Sequence, residues 1–292
     1  MEAYVQMLKQ NLKYMLGSRD FFIAFTFGIL FVLGSLALSL ISFQGNLDIN
    51  LYPAWYYFGV DGTGLGTPLN TGSMRTATTA IDIFIQIFLP FLAAMAFGSY
   101  HFDTMSSGAL KSLLPRVGRG RYYRSGAFTA FAGGFLVIFT PMLLEQLVLC
   151  VAFPLEIPYT IGRPGYEDNH ILGVGEAMQW LQVRFPYLFN FIYCLLPGLT
   201  GGVAALLSYA CSLYFHKNRF LTLTQVGFVW VIVYIPFVFN SSVPGLRQTI
   251  GSFFFPVPGW NFIWWLGCFL ILLLLSMMAI ELKIRVAKDE VE

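Results

Sequence analysis

The stretch Trp260–Ile280 reads WNFIWWLGCFLILLLLSMMAI and contains no charged residue. The hydrocarbon core of a bilayer is about 30 Å thick, and a helix crosses it with about 20 apolar residues. Backbone groups in hydrocarbon have no water to bond, so a spanning segment is a helix or a strand of a closed barrel. This stretch lacks the alternation of barrel strands. It therefore predicts a transmembrane helix.

Five further stretches of the chain have the same apolar character. They are Phe21–Phe43, Ile81–Gly98, Ala127–Phe153, Tyr187–Phe215 and Phe220–Phe239. The composition agrees with them, because 57% of the 292 residues are hydrophobic and only 11% are charged, whereas a soluble domain carries about 25% charged residues. The sequence predicts an all-α integral membrane protein with six transmembrane helices, organised as a single domain over residues 1–292.

The basic residues are distributed unevenly between the two sides of these spans. If the N-terminus is cytoplasmic, 13 of the 17 lysines and arginines lie on the cytoplasmic side. The remaining four, on the outer side, are Arg75, Arg163, Arg184 and Arg247. Short cytoplasmic segments carry an excess of lysine and arginine. We therefore expect cytoplasmic N- and C-termini in a multi-pass protein of the plasma membrane, of bacterial type.

Two segments beside the spans have their own patterns. Met1–Leu16 places Val5, Leu8, Leu12 and Met15 at spacings of three and four, which predicts an amphipathic interfacial helix within residues 1–20. The alternative is a frayed tail that only precedes the first span. Residues 240–259 contain three consecutive phenylalanines between glycine and proline residues. This segment predicts an outer re-entrant or interfacial element.

The inner segment His101–Ser125 reads HFDTMSSGALKSLLPRVGRGRYYRS. A short helix over Gly108–Leu114 is expected to stop at Pro115, and a basic stretch follows it. Leu110, Leu113 and Leu114 are apolar residues on a segment predicted to lie in water, and exposed apolar patches usually mark binding surfaces. The alternative is that the arginines serve only as the positive-inside signal.

This segment resembles the loop between the second and third spans of six-span ABC exporter permeases of the type-2 class. The matching residues are Asp103, Gly108-Ala109-Leu110, Leu113-Leu114-Pro115, Arg119 and Tyr122-Tyr123. Ala109 replaces the usual threonine, and Ser125 stands where lysine is common. The overall plan, with a basic amphipathic N-terminal helix and a short turn between the fourth and fifth spans, is similar as well.

The resemblance implies that residues 101–125 hold a coupling helix that docks onto a separate ABC ATPase subunit. ATP and Mg²⁺ would bind to that partner. A second permease subunit, identical or related, would complete the export pathway. The implied substrates are amphipathic peptides, drugs or lipid-linked molecules.

The chain lacks the common sequence motifs of catalytic and nucleotide-binding sites. It contains no Gly-x-x-x-x-Gly-Lys-Ser/Thr, no His-Glu-x-x-His and no Gly-x-Ser-x-Gly sequence. We expect no enzymatic activity, no cofactor or metal, and no nucleic-acid partner for this chain. The expected partners are the ATPase, the second permease and the lipid bilayer.

A few residues inside the spans stand out. Glu145, with Asp82, is predicted to line the outer part of a pathway, since intramembrane carboxylates usually face a bundle interior or a watery cavity. The alternative is a structural contact. Small residues recur in the third and fourth spans and predict close helix packing, within the chain or across a dimer. These are Gly126, Ala130, Gly134, Gly198, Gly202 and Ala205.

The sequence is also compatible with a second functional class, a carrier or channel that works without ATP. Many secondary transporters are built from inverted repeats. No convincing similarity relates Met1–Phe153 to Pro154–Glu292.

Overall fold

The computed structural model describes residues 2–43, 54, 87–155, 181, 184–215, 218–240, 253 and 262–286. Within these ranges the regular structure is α-helical throughout. A helical stretch over 87–95 precedes α3. The labelled helices are α1 (Glu2–Leu16), α2 (Arg19–Phe43), α3 (Tyr100–Ser106), α4 (Ala109–Val117), α5 (Arg119–Ala152), α6 (Pro186–Ser212), α7 (Arg219–Asn240) and α8 (Phe262–Val286).

Three of the described helices are long and apolar enough to cross a membrane, namely α5, α6 and α8. A fourth candidate arises if α1 and α2, which meet at a bend of 58°, are counted together. The described apolar part of α7, Arg219–Ile235, is shorter. The first residues of the predicted span Ile81–Gly98 lie outside the described ranges, as do residues 241–252 and 254–259 of the predicted outer element.

Two boundaries near the basic segment differ from the sequence prediction. The helix α5 begins at Arg119, eight residues before the predicted Ala127. Its first turns are amphipathic, with Tyr122 and Tyr123 buried and Arg121 exposed, so the helix extends beyond its apolar stretch. Pro115 lies inside α4 instead of ending it. Proline removes one bond to the carbonyl four residues earlier, and both Pro115 and Lys111 lie on the exposed face, where water can replace that bond.

The predicted apolar stripe of α1 faces the protein only in part. Met15 is buried and Leu12 packs against the core, whereas Val5 is 41% exposed. Met7 and Asn11, which lie outside the predicted stripe, are buried as well. The chain then turns at Gly17 and Ser18. The Ser18 hydroxyl accepts a hydrogen bond from the Phe21 amide and donates one to the Met15 carbonyl. This hydroxyl caps the start of α2.

The centre of the molecule is the contact between α5 and α6, which is built from small residues. A Cβ on Gly134 would lie 2.6 Å from the Gly201 carbonyl oxygen and 2.5 Å from the Ala205 methyl group. A Cβ on Gly126 would overlap the Tyr209 hydroxyl. The predicted small-residue packing is thereby confirmed, and at these positions it joins two helices of one chain.

The ends of several helices meet at one end of the bundle. Asp20 at the start of α2 pairs with Arg219 at the start of α7, and Arg124 near the start of α5 pairs with Glu281 near the end of α8. The Tyr214 hydroxyl, just after α6, donates to the Ala279 carbonyl of α8 at 2.7 Å. We call this the basic end, because it carries Arg19, Arg119, Arg121, Arg124, Arg219, Lys283 and Arg285.

Candidate functional site

The helices α3 and α4 form a short hairpin at the basic end, between the stretch 87–95 and α5. Gly108 separates α3 from α4 with φ +71°, and Gly118 separates α4 from α5 with φ +85°. Glycine adopts this left-handed region without steric cost. The predicted site residue Gly108 is therefore a turn residue that fixes the direction of α4.

The leucines of α4 do not form an exposed patch. Leu110 and Leu114 are each 5% exposed and belong to the main hydrophobic core, and Leu113 is partly buried against it. Positions 110 and 114 are one turn apart, so they share one side of the helix. The apolar side of α4 is thus used for packing within the chain.

The opposite side of α4 faces outward and is polar and basic. We define the outer face of α4 as Lys111, Ser112, Pro115 and Arg116, all of which are exposed. Met105, at the end of α3, is exposed beside it in the chain. Within the described residues, Lys111 and Arg116 make no ion pair. Any surface that α4 offers to another molecule is therefore this face.

Asp103, a predicted coupling residue on α3, contacts two polar residues outside the hairpin. Its Oδ1 lies 3.3 Å from Nε of Arg219, and its Oδ2 accepts a hydrogen bond from the Ser99 hydroxyl at 3.0 Å. The same arginine reaches Asp20 through Nη2 at 2.7 Å. We call Asp20, Asp103 and Arg219 the carboxylate–arginine trio. It joins the starts of α2 and α7 to α3.

A buried polar cluster lies behind the hairpin. The Tyr100 hydroxyl donates to Oδ1 of Asn11 at 2.9 Å, and Nδ2 of Asn11 donates to the Ser125 hydroxyl at 3.0 Å. The hydroxyls of Thr104 and Tyr122 are 2.7 Å apart. Burial raises the pKa of Tyr100 to about 12, so its hydroxyl stays protonated to a higher pH than that of an exposed tyrosine. These bonds join α1 and α3 to α5.

Sequence reasoning missed this cluster. The available signal was Asn11, a polar residue on the same side of α1 as Met7 and Met15. Its partner Ser125 is 114 positions away, and no local pattern connects the two.

Three predicted residues lie outside the two helices of the hairpin. Arg119 begins α5 and is partly buried. Glu145 is 2% exposed and lies on the buried side of α5 with Met142 and Leu149, so it does not face lipid. At 1.5 Å per residue it is roughly 40 Å along the helix from Arg119. Asp82 lies outside the described residues.

The described residues contain no group of three or more His, Cys, Asp or Glu that could hold a metal ion. The four cysteines are free thiols. The expectation that the chain binds no cofactor stays a prediction.

Comparison of the chain with protein-family models, curated proteins and solved structures finds no match. The fold and the apolar helices define an α-helical protein with three or four candidate membrane spans in its described part.

Proposed function

We propose that the chain is the membrane-spanning permease subunit of an ATP-driven ABC exporter. In this proposal six helices span the plasma membrane, α1 lies at the cytoplasmic interface, and both termini and the basic end are cytoplasmic. The gathering of arginines and lysines at one end of the bundle supports this orientation. The resemblance of residues 101–125 to type-2 exporter permeases supports the class.

The observation that carries the proposal is the two-sided construction of α4. Leu110 and Leu114 hold the helix in the core, while Lys111, Ser112, Pro115 and Arg116 face outward. Close-packed interiors transmit displacement, so a partner that pushes on the outer face moves α4 together with the core. The carboxylate–arginine trio extends this connection to α2 and α7.

The outer face of α4 also defines the chemistry of its partner. The two cations of this face suit a groove with an acidic rim, and the exposed Met105 offers an apolar contact. The partner is an ABC ATPase that binds ATP and Mg²⁺. A second permease, identical or related, completes the pathway for an amphipathic peptide, drug or lipid-linked molecule. Exposed apolar side chains on α2, α7 and α8 are available to that subunit or to lipid.

The test is co-purification of an ATPase from native membranes in mild detergent. We expect the wild-type chain to recover a vanadate-sensitive ATPase subunit. Lys111→Glu with Arg116→Glu places like charges against the acidic rim, which costs several kcal/mol, and should lower the recovery at least about tenfold. The control pair Arg121→Glu with Arg285→Glu changes two exposed cations of the basic end that are not part of α4 and should retain the ATPase.

Substitution of the buried leucines does not test docking, because Leu110→Asp or Leu114→Asp places a carboxylate in the core of the chain itself. Transport by the purified wild-type chain in vesicles without any ATP-hydrolysing subunit contradicts the proposal. That outcome would instead indicate the alternative, a carrier or channel that works without ATP.

A further inference from the structure

A cleft of about 690 Å³ opens at the basic end, where α1 bends into α2. Its walls come from the end of α1, the start of α2, the segment before α3, α3 itself, and Arg219 of α7. The charged residues that line it are Lys13, Arg19, Asp20, Asp103 and Arg219. Ligand pockets commonly have volumes of about 300–1,000 Å³, so the cleft is large enough for a small organic ligand.

The charges of this cleft do not cancel. Asp20 and Asp103 are both engaged by Arg219. Lys13 and Arg19 make no ion pair within the described residues. With three cations and two carboxylates, the lining carries a formal charge of +1. The two cations that remain available favour an anionic ligand.

The cleft also has an apolar side. Tyr14 is half exposed and packs edge-on against Tyr100 with ring centroids 5.4 Å apart. Met95 is partly exposed on the segment before α3. A ligand held by Lys13 and Arg19 therefore has apolar surface within the same cleft. An anion attached to an apolar group fits this lining better than an anion alone.

We propose that this cleft binds the phosphate-bearing headgroup of an anionic phospholipid, with Lys13 and Arg19 contacting the phosphoryl oxygens. Basic residues at a membrane surface attract anionic lipids, and the bend of 58° between α1 and α2 brings two such residues to one opening. A free phosphate shares the phosphoryl chemistry, but it would leave most of the volume and the apolar side unused. The proposal is independent of the exporter function and requires only that the basic end lies at a membrane surface.

The test measures lipid binding to the full chain in detergent by native mass spectrometry and by thermal unfolding. The probes are dioctanoyl phosphatidylglycerol, dioctanoyl phosphatidylcholine, and inorganic phosphate at matched ionic strength. We expect phosphatidylglycerol to bind more tightly than phosphatidylcholine and to raise the unfolding temperature. Lys13→Gln with Arg19→Gln should weaken its binding about 30-fold, or roughly 2 kcal/mol, since each basic residue contributes about 1 kcal/mol.

Two control pairs make the result specific. Arg121→Gln with Arg285→Gln removes the same charge from exposed positions outside the cleft and should leave the affinity within about twofold of the wild type. Lys13→Arg with Arg19→Lys keeps both cations and should retain binding. If this charge-conserving pair binds the lipid and the glutamine pair does not, the loss is due to the missing charges and not to substitution at these two positions.

Several outcomes overturn the proposal. An equal loss of affinity in the two glutamine pairs would indicate general attraction to the basic end. Equal binding of phosphatidylcholine would show that the anionic charge is not recognised. Stabilisation by inorganic phosphate alone, matching that by phosphatidylglycerol and lost in Lys13→Gln with Arg19→Gln, would assign the cleft to soluble phosphate instead of a lipid.

Discussion

Gly134 shows how one residue controls the distance between two helices. The backbones of α5 and α6 approach so closely at Gly134 and Gly201 that a methyl group at residue 134 has no space. Small residues permit such approach in membrane bundles, where association depends on packing and not on the hydrophobic effect. Gly134 therefore permits the close contact of α5 and α6 because it has no side chain.

We expect Gly134→Ala to destabilise the chain by about 1–3 kcal/mol, because the added methyl group forces the two helices apart. The free energy of unfolding can be measured by titration with sodium dodecyl sulfate. Gly267→Ala is the matched control, since a Cβ at this helical position meets nothing within 4 Å. That variant should be neutral or more stable by up to about 1 kcal/mol, because alanine is the better helix former. Equal effects of the two substitutions would contradict the packing role.

Single residues also show the limit of prediction from the sequence. The spacing of Leu110 and Leu114 correctly indicates one apolar side of a helix, but the same spacing serves a docking surface and an internal core. The structure assigns both leucines to the core. Asp103 was similarly recognisable as a polar site residue, whereas its partner Arg219 is 116 positions away and could not be inferred from local pattern.

At the scale of elements, the carboxylate–arginine trio is the connection that the sequence could not show. One guanidinium contacts carboxylates from two other helical elements. Its side chains are between 21% and 51% exposed, so solvent screens the interaction. Exposed ion pairs contribute about 0–1 kcal/mol each. The trio therefore positions α2, α3 and α7 more than it stabilises the fold.

We expect Arg219→Gln to lower the free energy of unfolding by about 1 kcal/mol, because it leaves Asp20 and Asp103 close together without a cation. Adding Asp20→Asn and Asp103→Asn to this variant should restore part of the loss by removing the repulsion. Lys111→Gln, which removes a cation that has no ion pair in the described residues, is the control and should be neutral. The difference between the Arg219 and Lys111 variants should shrink in high salt. A deficit that is unchanged by the two asparagine substitutions would indicate that Arg219 acts through packing instead.

Helix boundaries were predictable where the apolar stretch and the helix coincide. The predicted Phe21–Phe43 and Phe220–Phe239 differ from α2 and α7 by no more than two residues at either end. The start of α5 was not predictable in this way, because Arg121 and Arg124 lower the local hydropathy although the backbone is already helical. Hydropathy identifies the part of a helix that is apolar on all sides. It does not identify the amphipathic turns that continue the same helix, in which only one side is packed.

At the scale of the whole molecule, the contacts at the basic end imply an alternating path of the chain. The starts of α2, α5 and α7 and the ends of α6 and α8 share this end. Leu155 follows the far end of α5, and its carbonyl accepts a hydrogen bond from the Tyr187 hydroxyl at the start of α6. Such a path favours an arrangement in which both termini lie on the same side of a membrane.

We expect cysteine labelling in cells to separate the two ends. In a chain whose four native cysteines are replaced by alanine, Leu155→Cys should react with a membrane-impermeant maleimide in intact cells. Ser112→Cys and Arg285→Cys, both exposed at the basic end, should react only after permeabilisation. Labelling of residue 112 in intact cells would invert the proposed orientation and remove the outer face of α4 from reach of a cytoplasmic ATPase.

The glycine contact between α5 and α6 has a consequence for solute movement. Backbone touches backbone at Gly134 and Gly201, so no room for a hydrated molecule exists between these two helices at that depth. The two helices are therefore packed as one unit at this depth. In the proposed exporter, a conduit at this depth would therefore run along a flank of the α5–α6 pair, with the second permease subunit as its opposite wall.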